Sequence, residues 1–367
     1  MKIRKLIKSF TDTGKSASLS HEAWRRFRRN PTAVAGLAVI VLFAVVALLG
    51  YAITPDKTPY CNQQYLELAT LKPGSTATFL CIDAKEDAGG SLFTGHPLPY
   101  TAIPISSYSV VGDGATADSI AYTPVAGEPQ TIARSRLVKV EKRCFLLGTD
   151  AYGRDVLSMI MIGSRVSLSV GLIAVLIALL IGITLGALAA YYGGWVDNLI
   201  VWFINVVWSI PTVLLVIAIT FALGKGFWQV FIAVGLTMWV DIARVVRGEV
   251  FSLKEKEFVT AGRALGYSSL RIIFRHILPN IAGAIIVVTA SNFATAILLE
   301  AGLSFLGIGV QPPMPSWGTM VKENYSYILL DSAYLALLPG LAIMLIVLAF
   351  MLVGNGLRDA LDIKGRK

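Results

Sequence analysis

Charge is scarce in this 367-residue chain: Asp, Glu, Lys and Arg make up 15% of it, against 55% hydrophobic residues and a mean hydropathy of +0.67. Soluble domains carry about 25% charge, so that class is excluded, as is intrinsic disorder, which needs low hydrophobicity. Cysteine is scarcer still, at three residues, too few for a disulfide scaffold of this length. The three histidines, His21, His96 and His276, lie far from one another and from any Cys at ligand spacing, so no metal site is expected. There is no Gly-x-Ser-x-Gly nucleophile elbow. The nearest approach to a phosphate loop, Gly148 to Gly153, is followed by Arg154-Asp155 where Lys and Ser or Thr are required, and the Asp would repel phosphate. The chain is therefore read as no enzyme, with no catalytic residue and no cofactor of its own.

What it has in quantity is apolar sequence. Crossing about 30 Å of hydrocarbon takes about 20 helical residues, and six runs are candidates: 33–53, 166–191, 199–223, 227–240, 281–299 and 332–353. The fourth is short and is expected to run on past Asp241 and Arg244, whose spacing lets them pair near the interface. The first exceeds a signal-peptide core and lacks a small-x-small flank, which favours a retained anchor. Basic residues set the orientation: nine lie in 1–32, seven in 244–280 and four in 355–367, which makes these segments cytoplasmic by the positive-inside rule. The net charge of +9 thus reads as topology, with the bilayer as partner and no nucleic acid. Trp195, Trp202, Trp208 and Trp228 read as interface anchors.

The expected organisation is a basic N-terminal segment (1–32), a first span (33–53), an extracytoplasmic insert (54–148), a core with spans two to six (149–354) and a cytoplasmic tail (355–367). Polar and β-branched stretches at 101–111 and 119–125, broken by Pro, Gly and Asp, make the insert a small β-rich domain. Cys61, Cys81 and Cys144 all fall on the side where disulfides persist. A Cys61–Cys81 bridge and three separate thiols are both open, since spacing does not fix pairing.

The six runs contain no Asp, Glu, Lys, Arg or His, with Asp241, Glu300 and Asp331 at or beyond their edges. Ion-coupled carriers keep ionisable groups near the midplane, so a carrier or channel is the weaker reading and energy must enter elsewhere. Gly171, Gly182, Gly186 and Ala187 permit close helix approach. The loop 246–280 reads as a helix over 253–265 capped by Ser252 and stopped at Gly266, then a helix over 270–277 capped by Ser268 and ended by Pro279. Ala261, Gly262 and Ala264 keep the first helix slim enough for a partner's groove, with Arg263, Arg271 and Arg275 around it. An amphipathic segment resting on anionic lipid is the alternative.

Thr260-Ala261-Gly262, then Gly266, then His276 to Pro279, resembles the EAA loop by which ABC-importer permeases dock into their ATPases. Glu257, Thr260, Ala261, Gly262, Arg263, Ala264, Leu265, Gly266 and Pro279 are then the coupling residues. Thr260 stands in place of the motif's glutamate and Gly262 in place of its second alanine, each lowering helix propensity by a few tenths to about 1 kcal/mol. WRRFRRNPTAVAGLAVI (24–40), LGTDAYGRDVLSMIMIGSRVSLSVG (147–171) and LLEAGLSFLGIGVQPPMPSWGTM (298–320) are similar to the second, C-type permease of dipeptide, oligopeptide and nickel importers, although Met159 stands where a basic residue is usual.

This resemblance implies an all-α membrane protein of the type I permease fold, with six transmembrane helices and a β-rich insert between helices 1 and 2. It implies an inner-membrane location, a homologous permease as partner, two ATPases carrying ATP and Mg, and a soluble extracytoplasmic binding protein. The cargo implied is peptide, with nickel or another small solute as the alternative. Asp150, Arg154 and Asp155 read either as a turn and helix cap or as gating residues. Gln311, Pro312 and Trp317 read as a rigid outer loop or a contact for the binding protein.

Overall fold

Asn30 and Pro31 open the first membrane helix. A short helix, α1 (Leu19–Arg28), ends in Arg25, Arg26 and Arg28, and α2 (Pro31–Leu49) follows at once. The Asn30 side chain accepts from the Ala33 N–H at 3.2 Å, and Pro31 sits where a missing N–H costs nothing. The computed structural model describes residues 19–84, 89–91, 93–111, 119–224 and 226–361. Expectations for residues 1–18, Lys225 and the end of the tail, 362–367, lie outside the described residues.

The insert is a five-stranded antiparallel sheet: β1 (Ser75–Asp83), β2 (Tyr100–Val111), β3 (Ser119–Pro124), β4 (Gln130–Ala133) and β5 (Leu137–Phe145), in the order β4-β3-β2-β1-β5. The two stretches expected as strands are β2 and β3. Central β1 is buried on both faces. Phe79 and Cys81 pack with Tyr65, Leu68, Ala102 and Phe145, while Leu80 and Ile82 pack with Ile105, Ile120, Tyr122 and Ile132. Period-two alternation over two apolar layers gives this sheet a core of its own.

The Cys61–Cys81 bridge is not formed. Both thiols are free and buried, and Cys61 packs with Tyr51 and Val156 in a different apolar cluster from Cys81; its Sγ donates to the Asp56 carbonyl at 3.2 Å. Cys144 is exposed and free.

The membrane helices follow as α3 (Val156–Tyr192), α4 (Gly194–Trp208), α5 (Thr212–Leu223), α6 (Phe227–Lys254), α7 (Glu257–Ala264), α8 (Ser269–Ile272), α9 (Ala282–Phe305), α10 (Trp317–Asn324) and α11 (Tyr334–Leu361). Among the described residues, five helical stretches are long and apolar enough to cross a membrane, and α4 with α5 forms a sixth bent by 91°. The third span is therefore not the single helix expected over 199–223, because Pro211 breaks the run. The second helix starts ten residues before the expected 166, where Ser158, Ser164 and Arg165 interrupt the apolar pattern but not the helix.

Glycines hold α3 against α6. A Cβ at Gly182 would lie 2.7 Å from the Trp239 carbonyl, one at Gly186 2.5 Å from the Ala243 carbonyl, and one at Gly235 2.8 Å from Ile177. Residue numbers rise together along both helices, so α3 and α6 are parallel, and α4 with α5 must bring the chain back across the membrane between them. The bent pair is thus one crossing, and six crossings put the loop 255–268 and both described ends on one side, the sheet on the other. Arg244 does not pair with Asp241; its guanidinium lies 3.8 Å from the Trp208 ring centroid. Trp195, Trp202, Trp208 and Trp228 are all exposed, as interface anchors would be.

Burial pushes the Cys61 and Cys81 thiols up, away from the reactive thiolate. Maleimide applied to the folded protein is expected to label Cys144 alone, and all three cysteines after denaturation. Mass spectrometry of unreduced digests checks both this and the absence of a Cys61–Cys81 linkage.

Candidate functional site

On the loop side, α6 runs to Lys254, whose Nζ donates to the Ala190 carbonyl at 3.1 Å, and Arg247 grips Asp197 through two bonds of 2.6 Å. These ties, with the half-buried Leu253, carry α6 through Ser252, so Ser252 is no cap and the expected helix over 253–265 begins instead at Glu257. The stop at Gly266 is a Schellman turn. Tyr267 N–H donates to Gly262 O at 3.0 Å, Gly266 N–H to Arg263 O at 2.9 Å, and Gly266 has φ +75°. Ser268 caps the next helix through the Arg271 N–H at 3.4 Å. Pro279 does not end that helix. A π-turn (Ile273–Ile277) and a 3-10 turn (Leu278–Ile281) shift the ladder around it, and Asn280 Nδ2 donates to the freed His276 carbonyl at 2.6 Å.

Of the expected coupling residues, Glu257, Thr260, Ala261, Arg263, Ala264, Leu265, Gly266 and Pro279 are exposed, whereas Gly262 is buried. Gly262 therefore does not enter a partner's groove; a Cβ there would stand 3.5 Å from the Tyr267 ring, an ordinary contact, so alanine would fit equally well. Arg263 lies over Tyr191 at 5.3 Å and Arg271 over Tyr267 at 4.3 Å. Between these cations Phe258, Leu265, Leu270 and Phe274 are exposed, Leu265 by 71%.

On the sheet side, residues 147–155 thread a knot between the insert and α3. Thr149 N–H donates to Leu71 O at 3.1 Å, Thr70 N–H to Asp150 O at 2.9 Å and Tyr65 N–H to Tyr152 O at 3.0 Å. Such contact needs bare backbone. A Cβ at Gly148 (φ +78°) would lie 2.2 Å from Leu71 O, and one at Gly153 (φ +74°) 1.8 Å from Tyr65 O. Asp150 accepts from the N–H groups of Tyr152 and Arg154, each at 2.9 Å, and from Arg154 Nε at 2.7 Å. Arg154 reaches on to Glu323 of α10 at 2.6 Å. Asp155 caps α3 through the Ser158 N–H at 2.9 Å, and burial pushes its carboxyl up against the Ser158 bonds.

The turn-and-cap role of Asp150 and Asp155 is thus present, but in the interior: Asp150, Arg154 and Asp155 are all buried. Trp317 is wholly buried and donates from Nε1 to Ile160 O at 3.0 Å, which leaves it no face for a binding protein. Gln311 donates from Nε2 to Gly309 O at 2.8 Å, and Pro312 is exposed. Glu300, placed at a span edge by hydropathy, lies inside α9 with no exposure and takes hydroxyl bonds from Ser167 at 3.1 Å and Ser304 at 2.7 Å.

Glu323 and Ser167 escaped sequence reasoning because their partners lie 169 and 133 residues away. Arg154→Met would strand two carboxylates. Removing one member of a buried pair costs about 3–5 kcal/mol, so thermal unfolding in detergent is expected to fall by that order. Glu323→Gln, which leaves the Asp150 pair intact, is expected to cost less than half as much.

The profile of the family described as "Binding-protein-dependent transport system inner membrane component" matches residues 182–367, and that of the "N-terminal TM domain of oligopeptide transport permease C" matches residues 18–73. The dipeptide transport system permease protein DppC of Alkalihalophilus pseudofirmus is 46% identical over 217 residues, 59% of this chain and 71% of that protein. The glutathione transport system permease protein GsiD of Pectobacterium atrosepticum is 44% identical over 218 residues, 59% of this chain and 72% of that protein. Among solved structures, an inward-facing MetNI methionine ABC transporter aligns with TM-score 0.46 at 17% identity, over 56% of this chain and 97% of that one. The matches cover both the helices that frame the exposed loop and the first membrane span, and the chain belongs to the binding-protein-dependent inner membrane components, as a C-type permease of the ABC importers.

Proposed function

We propose that this permease imports short peptides, sharing the translocation path with a homologous permease while two cytoplasmic ATPases bind its exposed loop. The observation that carries this reading is the loop surface: Phe258, Leu265, Leu270 and Phe274 stand open beyond the end of the spans, flanked by Arg263 and Arg271. Apolar side chains gathered there with cations suit a protein partner with an apolar groove and an acidic rim.

The loop is also mechanically placed for coupling, since its two ends are α6, locked to α3 by glycines, and α9. ATP and Mg would be bound by the ATPases, whose grip on the loop would favour one of two permease conformations, a rigid-body switch. A soluble binding protein would deliver cargo on the sheet side, where Gln311 and Pro312 remain open to it. Peptide as cargo is supported by likeness to the dipeptide and glutathione permeases. The basic residues of the loop favour a cytoplasmic position for it and for both termini.

Two measurements test the reading. On a Cys144→Ser background, cysteine at Ser269 is expected to react only from the cytoplasm and cysteine at Glu128 only from outside; reversed access would overturn the orientation.

Gly266→Val meets no neighbour within 4 Å, so its cost is backbone strain alone, about 1–3 kcal/mol. Ala261→Asp puts an unpaired charge into the groove. Both variants are expected to insert and to pair with the second permease. Co-purification of the ATPases and peptide-stimulated hydrolysis are each expected to drop about tenfold or more, as 1.4 kcal/mol or more of lost docking implies. Normal assembly and uptake in both would exclude this loop as the coupling element.

A further inference from the structure

The sheet does not pack flush on the outer knot. A cavity of about 380 Å³ lies between them, walled by Asp56, Tyr65, Tyr100, Lys139, Arg143 and Asp155 among others. Gln63, Leu98 and Tyr100 also line a neighbouring cavity of about 380 Å³, which adjoins this cleft across a shared wall. Small-ligand sites typically occupy about 300–1,000 Å³. Much of the wall comes from β5 and the start of β2, outside both family-matched segments.

The cleft carries both signs of charge, the acidic groups beside the start of α3 and the basic ones on β5. Asp56 and Asp155 meet around Ser158, whose hydroxyl accepts from the Asp56 N–H at 2.9 Å and donates to Asp155. Asp56 Oδ1 accepts from Thr58 N–H at 2.8 Å, yet among the described residues neither carboxylate forms an ion pair. Burial raises both carboxyls; the Asp155 charge adds to the rise at Asp56, and the Arg143 guanidinium opposes it. The β5 wall is basic. Lys139 and Arg143 share the single carboxylate Glu141, Arg143 also donates to the Tyr65 hydroxyl at 3.1 Å, and Lys142 adds a further cation. Tyr65 and Tyr100 supply apolar wall.

We propose that this cleft is an extracytoplasmic binding site for a short peptide with free termini, its ammonium set against Asp56 and Asp155 and its carboxylate toward Lys139, Lys142 and Arg143. The inference rests on the peptide reading of transport and adds to it a site outside the membrane, built largely by the insert. An ammonium gives the two carboxylates a direct ion-pair partner, and a carboxylate meets the positive charge of β5; a molecule carrying only one of these charges satisfies only one of the two groups.

The test uses the full chain in lipid nanodiscs without binding protein, titrated calorimetrically with trialanine, N-acetyl-trialanine and trialanine amide. Trialanine is expected to bind, and each capped form to bind about tenfold more weakly, as the loss of one charge pair implies. Asp56→Asn, which keeps the Thr58 acceptor, is expected to abolish the difference between free and acetylated peptide, and Lys142→Glu to shrink the difference between free and amidated peptide. Equal affinity for all three peptides, or no trialanine binding at millimolar concentration, would overturn the proposal. Uptake of trialanine by the assembled importer separates it from the transport reading. Uptake without cleft binding overturns the cleft alone, whereas cleft binding without uptake supports the cleft and overturns peptide as cargo.

Discussion

The close packing of α3 on α6 is the constraint on which the rest depends. At Gly182 and Gly186 the helices touch through backbone carbonyls, and no side chain larger than hydrogen fits. In a membrane, where lipid competes for every apolar face, small residues that bring backbones together are the main source of specific helix association. Because the two helices run parallel, the chain must recross the membrane between them, and it does so as the bent α4–α5 pair. The same parallelism sends α6 out on the side opposite the sheet, so the loop and the insert are separated by the full membrane.

Length does the remaining work at the other end. Thirty-seven residues of α3 span about 55 Å, against about 30 Å of hydrocarbon. The first ten residues of that helix stand above the start of α6, and they carry the knot and the sheet away from the lipid. Arg165 then closes the end of the first span by donating to the carbonyls of Ala47 and Leu48, and it binds the insert through Phe93 O at 2.9 Å. Such carbonyls have no helical partner of their own, so one guanidinium serves both as cap and as tie.

Much of this was legible in the sequence wherever the cause is local. Hydropathy located all six crossings, though not the bend in the third, alternation located β2 and β3, and the Gly266 stop and the Ser268 cap followed from residue type. Reading failed where the cause was distant or cooperative. Nothing near Ser252 marks it as mid-helix, because Arg247, Lys254 and Leu253 hold α6 together through contacts with other elements. Pro279 was read as a stop, yet a π-turn before it and a 3-10 turn after it absorb the missing bond. Hydropathy put Glu300 at a boundary, but hydroxyls from Ser167 and Ser304 let the helix carry it inside. Trp317 looked like a surface residue of a proline-rich loop; its ring fills the core beside Gly163.

Contacts, rather than any single helix, join the two faces. From the loop, α8 continues through the turn at Pro279 into α9, where the Asn292 side chain donates to Met238 O at 3.4 Å and Glu300 bonds Ser167 of α3. At the next residue, Ala301 packs so closely on Gly318 that a Cβ at Gly318 would be 2.6 Å from the Ala301 carbonyl. Gly318 lies in the first turn of α10, whose last turn carries the Glu323 that holds Arg154, and Arg154 anchors the knot under the cleft. Every joint in this series is a hydrogen bond or a close backbone contact, and close-packed joints shift between discrete arrangements instead of stretching. A partner that grips the loop can therefore influence the sheet side only through its differential affinity for two such arrangements, and a rotation of α10 strains both the Trp317 bond to α3 and the Arg154–Glu323 pair, the last joint before the insert.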